Sequence, residues 1–171
     1  MQYAHCSHCG VAYAEDAPWP RVCAACGEIT WRNPLPVAVA LLPVDTDEGR
    51  GLVVVRRDIE PGRGQLGLPG GYIEAGEQWR EAAVRELREE TTIEASADDV
   101  TLFDVHSTPA GATLLVFGLL PARPASKLPP SVATEEATGY EILTKPQTLA
   151  FSTHTDAMAS YFAREATTSR K

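Results

Sequence analysis

The stretch Gly71–Ile93 reads GYIEAGEQWREAAVRELREETTI and combines a short loop with a run of strong helix formers. A Gly/Pro turn, Leu68-Pro-Gly-Gly71, leads into it and lets the backbone pass close to a ligand. On a helix of about 100° per residue, Glu86, Glu89 and Glu90 share one arc. The same arc starts, one to two turns earlier, with apolar side chains: Trp79, Ala82 and Ala83. The predicted helix therefore has a face that begins apolar and ends in three carboxylates.

Three carboxylates on one helix face repel one another unless cations neutralise them. Hard divalent ions such as Mg²⁺ prefer carboxylate oxygens and bring phosphate groups with them. The alternative is a solvated acidic face, on which Glu81 and Arg85 form an ordinary i, i+4 pair. The helical pattern by itself leaves both interpretations open.

The full spacing favours the metal site. Gly71 is followed after five residues by Glu77, after seven more by Arg85-Glu86-Leu87, and then by Glu89-Glu90 and Thr92-Ile93. This pattern resembles the Nudix box of the Nudix hydrolases, GX5EX7REUXEEXGU, in which U is a bulky aliphatic residue. Thr92 replaces the late glycine of the box, which would form a left-handed helix C-cap that a β-branched residue tolerates poorly.

The resemblance implies an α/β protein with the Nudix α/β/α sandwich built on a mixed sheet. It implies that Glu86, Glu89 and Glu90 are catalytic residues and ligands of Mg²⁺ or Mn²⁺, with a backbone carbonyl near Gly71 as a further ligand. It also implies that Glu77 and Arg85 form a pair that braces the loop on the helix.

Two CxxCG motifs near the N-terminus contain all the cysteines of the protein: Cys6, Cys9, Cys23 and Cys26. Each motif suits a tight turn in which backbone amides face two thiolates, and two such turns complete a tetrahedral zinc site. The alternatives are two disulfides or a redox CxxC. We expect a cytoplasmic protein, and disulfides are disfavoured in that compartment. Neither cysteine pair lies in the βαβ pattern that is typical of a redox CxxC. We therefore expect a structural Zn²⁺ ion.

A proline-stiffened link, Trp31–Pro36, follows the second cysteine motif. A cysteine ribbon, a link of this kind and a Nudix domain resemble the zinc-ribbon Nudix subgroup that includes the NADH pyrophosphatases. We expect a small zinc ribbon with four cysteine ligands over residues 1–33, a Nudix domain over 34–166 and a frayed tail over 167–171.

The composition is that of an ordinary globular protein, with 44% hydrophobic residues in a chain of 171. A net charge of −8 argues against nucleic acid or an anionic membrane as a partner. The chain shows no signal-peptide pattern at its start and no apolar run long enough to span a bilayer. We therefore expect a cytoplasmic protein without a membrane partner.

Candidate substrate-binding residues lie just before the box. The β-branched runs 37–44 and 52–56 are typical of a hairpin, and Arg56 and Arg57 end its second strand. An arginine there either faces solvent or contacts a phosphate. A flexible loop then leads into the box. The predicted substrate-binding residues are Arg56, Arg63, Gly70 and Gly71.

Two further strands, 100–107 and 112–120, are predicted after the box, with a turn at Pro109-Ala-Gly111. NADH-cleaving members of the subgroup carry a Gln-Pro-Trp element in this region, whereas the span here reads DVHSTPAGATLL. The missing element argues for a substrate other than NADH. His106, within this span, is either a polar site residue or a satisfied surface or core group.

The C-terminal third contains one more candidate for catalysis. A Pro/Ala-rich stretch, 121–131, reads as a loop, and Glu135 and Glu136 follow it. The family resemblance implies a glutamate in this late loop as an extra metal ligand or general base, and we predict Glu136, with exposed loop acids as the alternative. A last helix over 155–166 has an apolar stripe that serves the core or a homodimer contact, formed by Ala157, Met158, Tyr161 and Phe162.

The function predicted from these features is a metal-dependent pyrophosphohydrolase that cleaves a nucleoside diphosphate linked to another moiety. ADP-ribose, FAD and NAD(H) are the expected substrate class, in that order. The alternative is a catalytically weak Nudix domain that senses a nucleotide, with the zinc ribbon as a contact for a partner. Because an inactive domain would be expected to lose carboxylates and this chain keeps all three, the enzyme is favoured.

Overall fold

The structure is a computed structural model that describes residues 3–168. It divides into two compact units, Met1–Pro34 and Leu35–Lys171, close to the predicted division between ribbon and main domain. The predicted tail falls on both sides of the described range: Thr167 and Thr168 belong to the last helix, and residues 169–171 lie outside it.

The first unit consists of two similar turns and a small antiparallel hairpin, β1 (Arg21–Val22) and β2 (Ile29–Thr30). In each turn the glycine after the CxxC motif adopts a left-handed conformation, with φ of 76° at Gly10 and 78° at Gly27. Their amides donate to the carbonyls of Cys6 and Cys23 at 2.9 and 2.8 Å. Both CxxCG motifs therefore close into the same kind of turn.

The described residues of the second unit form nine strands and two α-helices. The strands are β3 (Leu35–Leu41), β4 (Pro43–Thr46), β5 (Gly49–Arg57), β6 (Leu66–Gly67), β7 (Gly70–Tyr72), β8 (Thr101–Ser107), β9 (Thr113–Leu119), β10 (Arg123–Pro124) and β11 (Ala137–Leu143). The helices are α1 (Trp79–Thr91) and α2 (Ser152–Thr168), with short 3-10 helices at Ala97–Asp99 and Ala125–Lys127.

Both sheets are mixed, as predicted for the fold. One has the order β7-β3-β9-β8, in which only β3 and β9 run parallel. The other has the order β10-β4-β5-β11, with β6 also paired to β5 and β10 parallel to β4.

Two sequence predictions of strands need correction. The run 37–44 is not one hairpin strand, because it divides at Leu42 into β3 of one sheet and β4 of the other. Pro43 has no amide hydrogen, so it cannot continue the ladder and instead begins β4. The stretch 121–131 is not entirely loop, since it contains β10 and a 3-10 helix.

The two helices lie on opposite faces of the strand layer, which makes the predicted α/β/α arrangement. Alternate residues of β3 point to opposite sides. Val39 and Leu41 pack in one cluster with Met158 and Tyr161 of α2. Ala38, Ala40 and Leu42 pack on the other side with residues of α1, namely Ala82, Ala83 and Leu87. The apolar stripe of α2 is therefore core, and the homodimer stays a prediction. No helix within residues 3–168 is long and apolar enough to cross a membrane.

Thr92 occupies the left-handed C-cap position of α1, with φ 61° and ψ 10°. Its amide donates to the carbonyl of Arg88 at 2.7 Å, so the helix ends as it would with the glycine of the box. The side chain of Thr92 is exposed. The helix end is thus preserved, and a β-branched residue adopts an unfavourable backbone conformation there.

We expect Thr92→Gly to stabilise the protein by about 0.5–1 kcal/mol. A left-handed L-residue costs roughly 1–2 kcal/mol, and the lost backbone freedom of glycine offsets part of the gain. The free energy of unfolding from urea titration measures the difference. Thr92→Ala is the control, because it also lacks the hydroxyl but keeps a Cβ, and it should gain much less. A glycine variant less stable than wild type would contradict this account of the cap.

Candidate active site

Helix α1 turns two of its three predicted ligands toward the interior. Glu86 is 9% exposed and Glu90 is 3% exposed. The side chain of Glu89 remains 51% exposed, at the rim. Burial of two carboxylates on the face that packs against the sheet rules out the simple solvated acidic face.

Two glycines at the start of β7 make room for these carboxylates. The amide of Gly70 donates to Oε2 of Glu90 at 3.0 Å. A Cβ on Gly71 would lie 2.5 Å from Cδ of Glu86, and a Cβ on Gly70 would lie 2.8 Å from Cα of Val39. A side chain on Gly71 would therefore displace the Glu86 carboxylate, and one on Gly70 would displace the neighbouring strand.

Arg85 connects the loop before the helix to the acidic face. Its Nε donates to Glu77 at 2.8 Å, as the family resemblance implied, and its Nη2 donates to the carbonyl of Tyr72 at 3.0 Å. Its Nη1 lies 2.7 Å from Glu86 and 3.2 Å from Glu89. The alternative pair of Glu81 with Arg85 is wrong, because the Glu81 carboxylate instead accepts the Gln78 amide at 2.9 Å and caps the helix.

The buried carboxyl groups hold their protons more tightly than exposed ones. Burial raises the pKa of Glu90 to about 8, with the Gly70 amide opposing the shift and the charges of Glu86 and Glu136 adding to it. Burial also raises the pKa of Glu86, with Arg85 opposing the shift. Without a cation, these carboxyl groups resist ionisation. A hard divalent cation would neutralise their charges, and carboxylate oxygens are ligands that such a cation prefers.

The acidic face opens into a cleft of about 640 Å³, a volume typical of small-molecule sites. Three predicted carboxylates line it: Glu86, Glu89 and Glu136. The structure therefore brings Glu136 from the late loop to the site, whereas its neighbour Glu135 does not line the cleft. Gly70 and Gly71 line it as well.

The structure places the predicted arginines elsewhere. Arg56 pairs with Glu141 through Nε at 2.9 Å and donates to the carbonyl of Gly64, and Arg63 lies 3.5 Å from Asp58 with 63% of its side chain exposed. Neither lines the cleft. Arg57 lines it instead, with its guanidinium 5.1 Å from the centre of the Phe151 ring.

Of the histidines His106 and His154, the cleft is lined by His154, for which the sequence made no prediction, and His106 is the surface group that was one of its two alternatives. His106 does not line the cleft, and its Nε2 lies 3.3 Å from Asp104 on β8. His154, in the first turn of α2, does line the cleft and is 5% exposed. The sequence carried no motif for His154; the only signal was its position at the start of the last helix.

The four cysteines of the first unit form a second candidate site. Their Sγ atoms all lie within 4.8 Å of one another, with Cys6 and Cys26 3.8 Å apart and Cys9 and Cys23 3.5 Å apart. All four cysteines are free, so the alternative of two disulfides is not present. Backbone amides of Cys9 and His8 lower the pKa of Cys6 to about 6. The pKa of Cys26 is raised to about 12 instead, because the amide of Glu28, which lowers it, is outweighed by burial and by the sulfurs of Cys9 and Cys23. Four sulfurs this close do not all ionise without a cation, and a bound metal would neutralise them.

Strand β7 begins with two glycines and leads through a short loop to helix α1, which carries two buried glutamates beside a cleft. A family model described as NUDIX domain matches residues 34–164, well over half of the chain. The chain therefore belongs to the NUDIX domain family. The clustered cysteines that precede the matched residues are consistent with the zinc-ribbon subgroup.

Several known proteins are similar to parts or most of the chain. The ADP-ribose pyrophosphatase of Methanocaldococcus jannaschii is 38% identical over 58 residues, so the match spans 34% of this chain and only 33% of that protein. A NUDIX hydrolase from Nitrosomonas europaea has a TM-score of 0.71 at 20% identity, covering 93% of this chain and 90% of that one. A bifunctional NMN adenylyltransferase/ADP ribose pyrophosphatase from Francisella tularensis, complexed with AMP and a manganese ion, has a TM-score of 0.55 at 25% identity over 66% of this chain and 34% of that one.

Proposed function

We propose that this protein is a metal-dependent pyrophosphohydrolase that cleaves a nucleoside diphosphate linked to another moiety, with ADP-ribose as the leading substrate. The observation that carries the proposal is a pair of buried carboxylates: Glu86 lines a cleft of small-molecule size, and Glu90 lies behind it, bonded to the amide of the cleft-lining Gly70. The ADP-ribose pyrophosphatase of M. jannaschii, with 38% identity over 58 residues, supports the substrate.

The donor set fits Mg²⁺ or Mn²⁺, held by Glu86, Glu89 and Glu90. All three offer hard carboxylate oxygens on consecutive turns of one helix. Such an ion, when bound, polarises the phosphorus and lowers the pKa of the attacking water. Arg85 fixes the Glu86 carboxylate from one side and the Gly70 amide fixes Glu90 from the other, so both oxygens are oriented before any ligand arrives.

Glu136 is the proposed proton acceptor. It lines the cleft with Glu86 and Glu89 but comes from the loop before β11, so it is not fixed by the geometry of α1. Its own side chain is exposed, which leaves it free to approach the attacking water. On the remaining wall of the cleft, Arg57 supplies the positive charge that attracts a phosphate group. The sequence had predicted Arg56 and Arg63 for this role.

The experiment is a comparison of ADP-ribose, FAD and NADH as substrates with Mg²⁺ or Mn²⁺, followed by the mass of the products. We expect ADP-ribose or FAD to be cleaved better than NADH, because the span from Asp104 to Leu115 lacks the Gln-Pro-Trp element. Cleavage of ADP-ribose should yield AMP and ribose 5-phosphate. A clear preference for NADH would overturn the substrate assignment, and binding without cleavage of any of them would favour the nucleotide-sensor alternative.

We also propose that the first unit is a zinc ribbon with a structural role. In a tetrahedral site with Zn–S distances of about 2.3 Å, neighbouring sulfurs lie about 3.8 Å apart. Two of the separations, 3.5 and 3.8 Å, are close to this value, and all four sulfurs lie within 4.8 Å of one another. Four thiolates close the coordination shell, so the ion would hold the two turns together rather than take part in hydrolysis.

Zinc removal should therefore loosen the first unit before the second. We expect one Zn²⁺ per chain by elemental analysis, and chelation should increase amide hydrogen exchange in residues 3–33 at concentrations that leave the NUDIX domain protected. The matched control is Cys9→Ser, which should lose zinc without added chelator. A zinc-free protein with Cys6–Cys9 or Cys23–Cys26 oxidised would contradict the proposal.

A further inference from the structure

His154 is a buried histidine whose protonation and orientation are fixed by its neighbours. Its Nδ1 accepts the amide of Leu68 at 3.2 Å. A backbone amide can only donate, so Nδ1 carries no proton when the ring is neutral. The single proton of the neutral ring therefore resides on Nε2, and Nε2 is a hydrogen-bond donor.

The surroundings keep this ring neutral. Burial, aided by the charge of Arg57, lowers the pKa of His154 to about 3. Its other close neighbours are the aromatic rings of Phe117 and Phe151, whose centroids lie 5.9 and 5.1 Å away. Among the described residues, the charged group that acts on it is Arg57, and a cation disfavours a protonated ring. His154 is thus a neutral donor at any physiological pH.

The Nε2–H of His154 has no acceptor in the described part of the chain. Within residues 3–168, the one fully buried polar side-chain atom without a partner is the hydroxyl of Tyr161, so Nε2 is not sealed in the core. His154 lines the cleft. The donor therefore reaches the cleft, where a bound molecule can accept from it.

One short segment connects His154 to the acidic face. The amide of Leu68 binds His154, and the amide of Gly70, two residues further on, binds Glu90. Two residues span at most about 7 Å. A substrate with one phosphate at the carboxylates of α1 thus has its next group within reach of His154.

Arg57 gives this wall of the cleft its charge preference. Its Nε donates to the carbonyl of Pro61 at 2.9 Å, which holds the guanidinium over Phe151. A Cβ on Gly67 would lie 3.6 Å from Cδ of Arg57 and 3.9 Å from Nδ1 of His154, so these two side chains are neighbours. A cation beside a neutral donor suits an anionic oxygen acceptor.

We propose that His154 is a substrate-binding residue whose Nε2–H donates a hydrogen bond to the phosphate of the diphosphate that is not held at Glu86 and Glu90. The inference rests on the proposed function, because it assigns a contact within the same cleft. His154 then acts as a fixed donor that selects a phosphate oxygen at this position, and it takes no part in proton transfer.

Two substitutions separate the substrate contact from the structural contact. In His154→Asn the side-chain oxygen can take the place of Nδ1 and accept from Leu68, but the donor toward the cleft is lost. In His154→Gln the amide nitrogen can take the place of Nε2, but the acceptor for Leu68 is lost. The first should therefore impair binding, and the second should impair stability.

The test measures KM and kcat for ADP-ribose, inhibition by inorganic pyrophosphate, and melting temperature, all with Mg²⁺ between pH 6 and 8.5. A hydrogen bond to a charged oxygen contributes about 1.5–3 kcal/mol, so we expect His154→Asn to raise KM and the pyrophosphate inhibition constant about tenfold or more. Its kcat should change little and the effect should not vary with pH. His154→Gln keeps a donor toward the cleft, so it should raise KM less than His154→Asn does, and it should melt at a lower temperature.

Different failures are distinguishable. If wild type cleaves ADP-ribose and His154→Asn keeps the wild-type KM, the contact is wrong while the proposed function stands. If KM rises but inhibition by pyrophosphate is unchanged, the contact is not to phosphate and the inference is overturned. If wild type cleaves nothing, the proposed function fails. Calorimetric binding of ADP with Mg²⁺ to wild type and to the same variants then tests the role of His154. Equal affinity of wild type and His154→Asn for ADP would overturn the inference.

Discussion

Glu90→Gln is expected to lower kcat by about 10²-fold or more while leaving the fold intact. The substitution keeps the side-chain oxygen that accepts the Gly70 amide at 3.0 Å, so the helix remains docked on β7. It removes the negative charge that a divalent cation needs from a ligand which is only 3% exposed. Initial rates of ADP-ribose hydrolysis with Mg²⁺ measure the loss.

Glu89→Gln provides a graded comparison and Glu81→Gln the control. Glu89 lines the cleft but is half exposed, so its variant should also lose activity. Glu81 accepts the Gln78 amide at the helix start and does not line the cleft, so its variant should keep wild-type rates and lose about 0.5 kcal/mol of stability at most. Wild-type turnover by Glu90→Gln would remove the basis of the carboxylate site.

The same variant tests the electrostatics of the metal-free protein. Burial raises the pKa of Glu90 to about 8 from an ordinary value of 4.5, so the folded state binds a proton that the unfolded state releases between these values. The contribution of Glu90 to stability is therefore full below about pH 4.5 and lost as pH rises through about 8. Relative to Glu90→Gln, metal-free wild type should lose up to about 1.4 kcal/mol per pH unit from pH 6 to 8. Parallel curves from urea titrations would contradict the raised pKa.

The local pattern of the sequence predicted the carboxylate helix well, because helical periodicity depends on neighbours within two turns. Glu86 and Glu90 share the buried face with Ala82 and Ala83, as the 100° arc predicted. The brace between Glu77 and Arg85 came from the family resemblance, and the structure has it.

The other walls of the cleft depend on contacts between residues far apart in the chain, which the helical and strand periodicity of the sequence does not predict. Neighbouring strand residues point to opposite sides, so nothing local decides whether Arg56 or Arg57 faces the cleft. The pairing of β11 with β5 has a register shift between Ala137 and Tyr140, directly after Glu136, and local periodicity does not predict such an irregularity. His154 joins the site only because the start of α2 packs beside Leu68, a residue 86 positions earlier in the chain.

Gly71→Ala is expected to lower kcat/KM for ADP-ribose by about 10²-fold, although Gly71 contributes no side chain to the cleft. The added Cβ would lie 2.5 Å from Cδ and 2.6 Å from Oε2 of Glu86, closer than any real Cβ contact. Glu86 cannot simply swing away, because Arg85 holds its other oxygen and Arg85 is itself tied to Glu77. The displaced carboxylate loses its geometry toward a cation, and misplacement by about 1 Å costs on the order of 10²-fold.

The matched control is Gly67→Ala, four residues earlier in the same segment. There a Cβ would meet Cδ of Arg57 at 3.6 Å, an ordinary van der Waals distance, and the residue does not require a left-handed backbone. Rates and melting temperatures of both variants, together with Mn²⁺ affinity by calorimetry, separate loss of the site from loss of the fold. Gly71→Ala should bind Mn²⁺ weakly while Gly67→Ala binds it as wild type does. The methyl group added in Gly71→Ala changes the position of the Glu86 carboxylate. Equal Mn²⁺ affinity in the two variants would therefore contradict the role of Glu86 as a metal ligand.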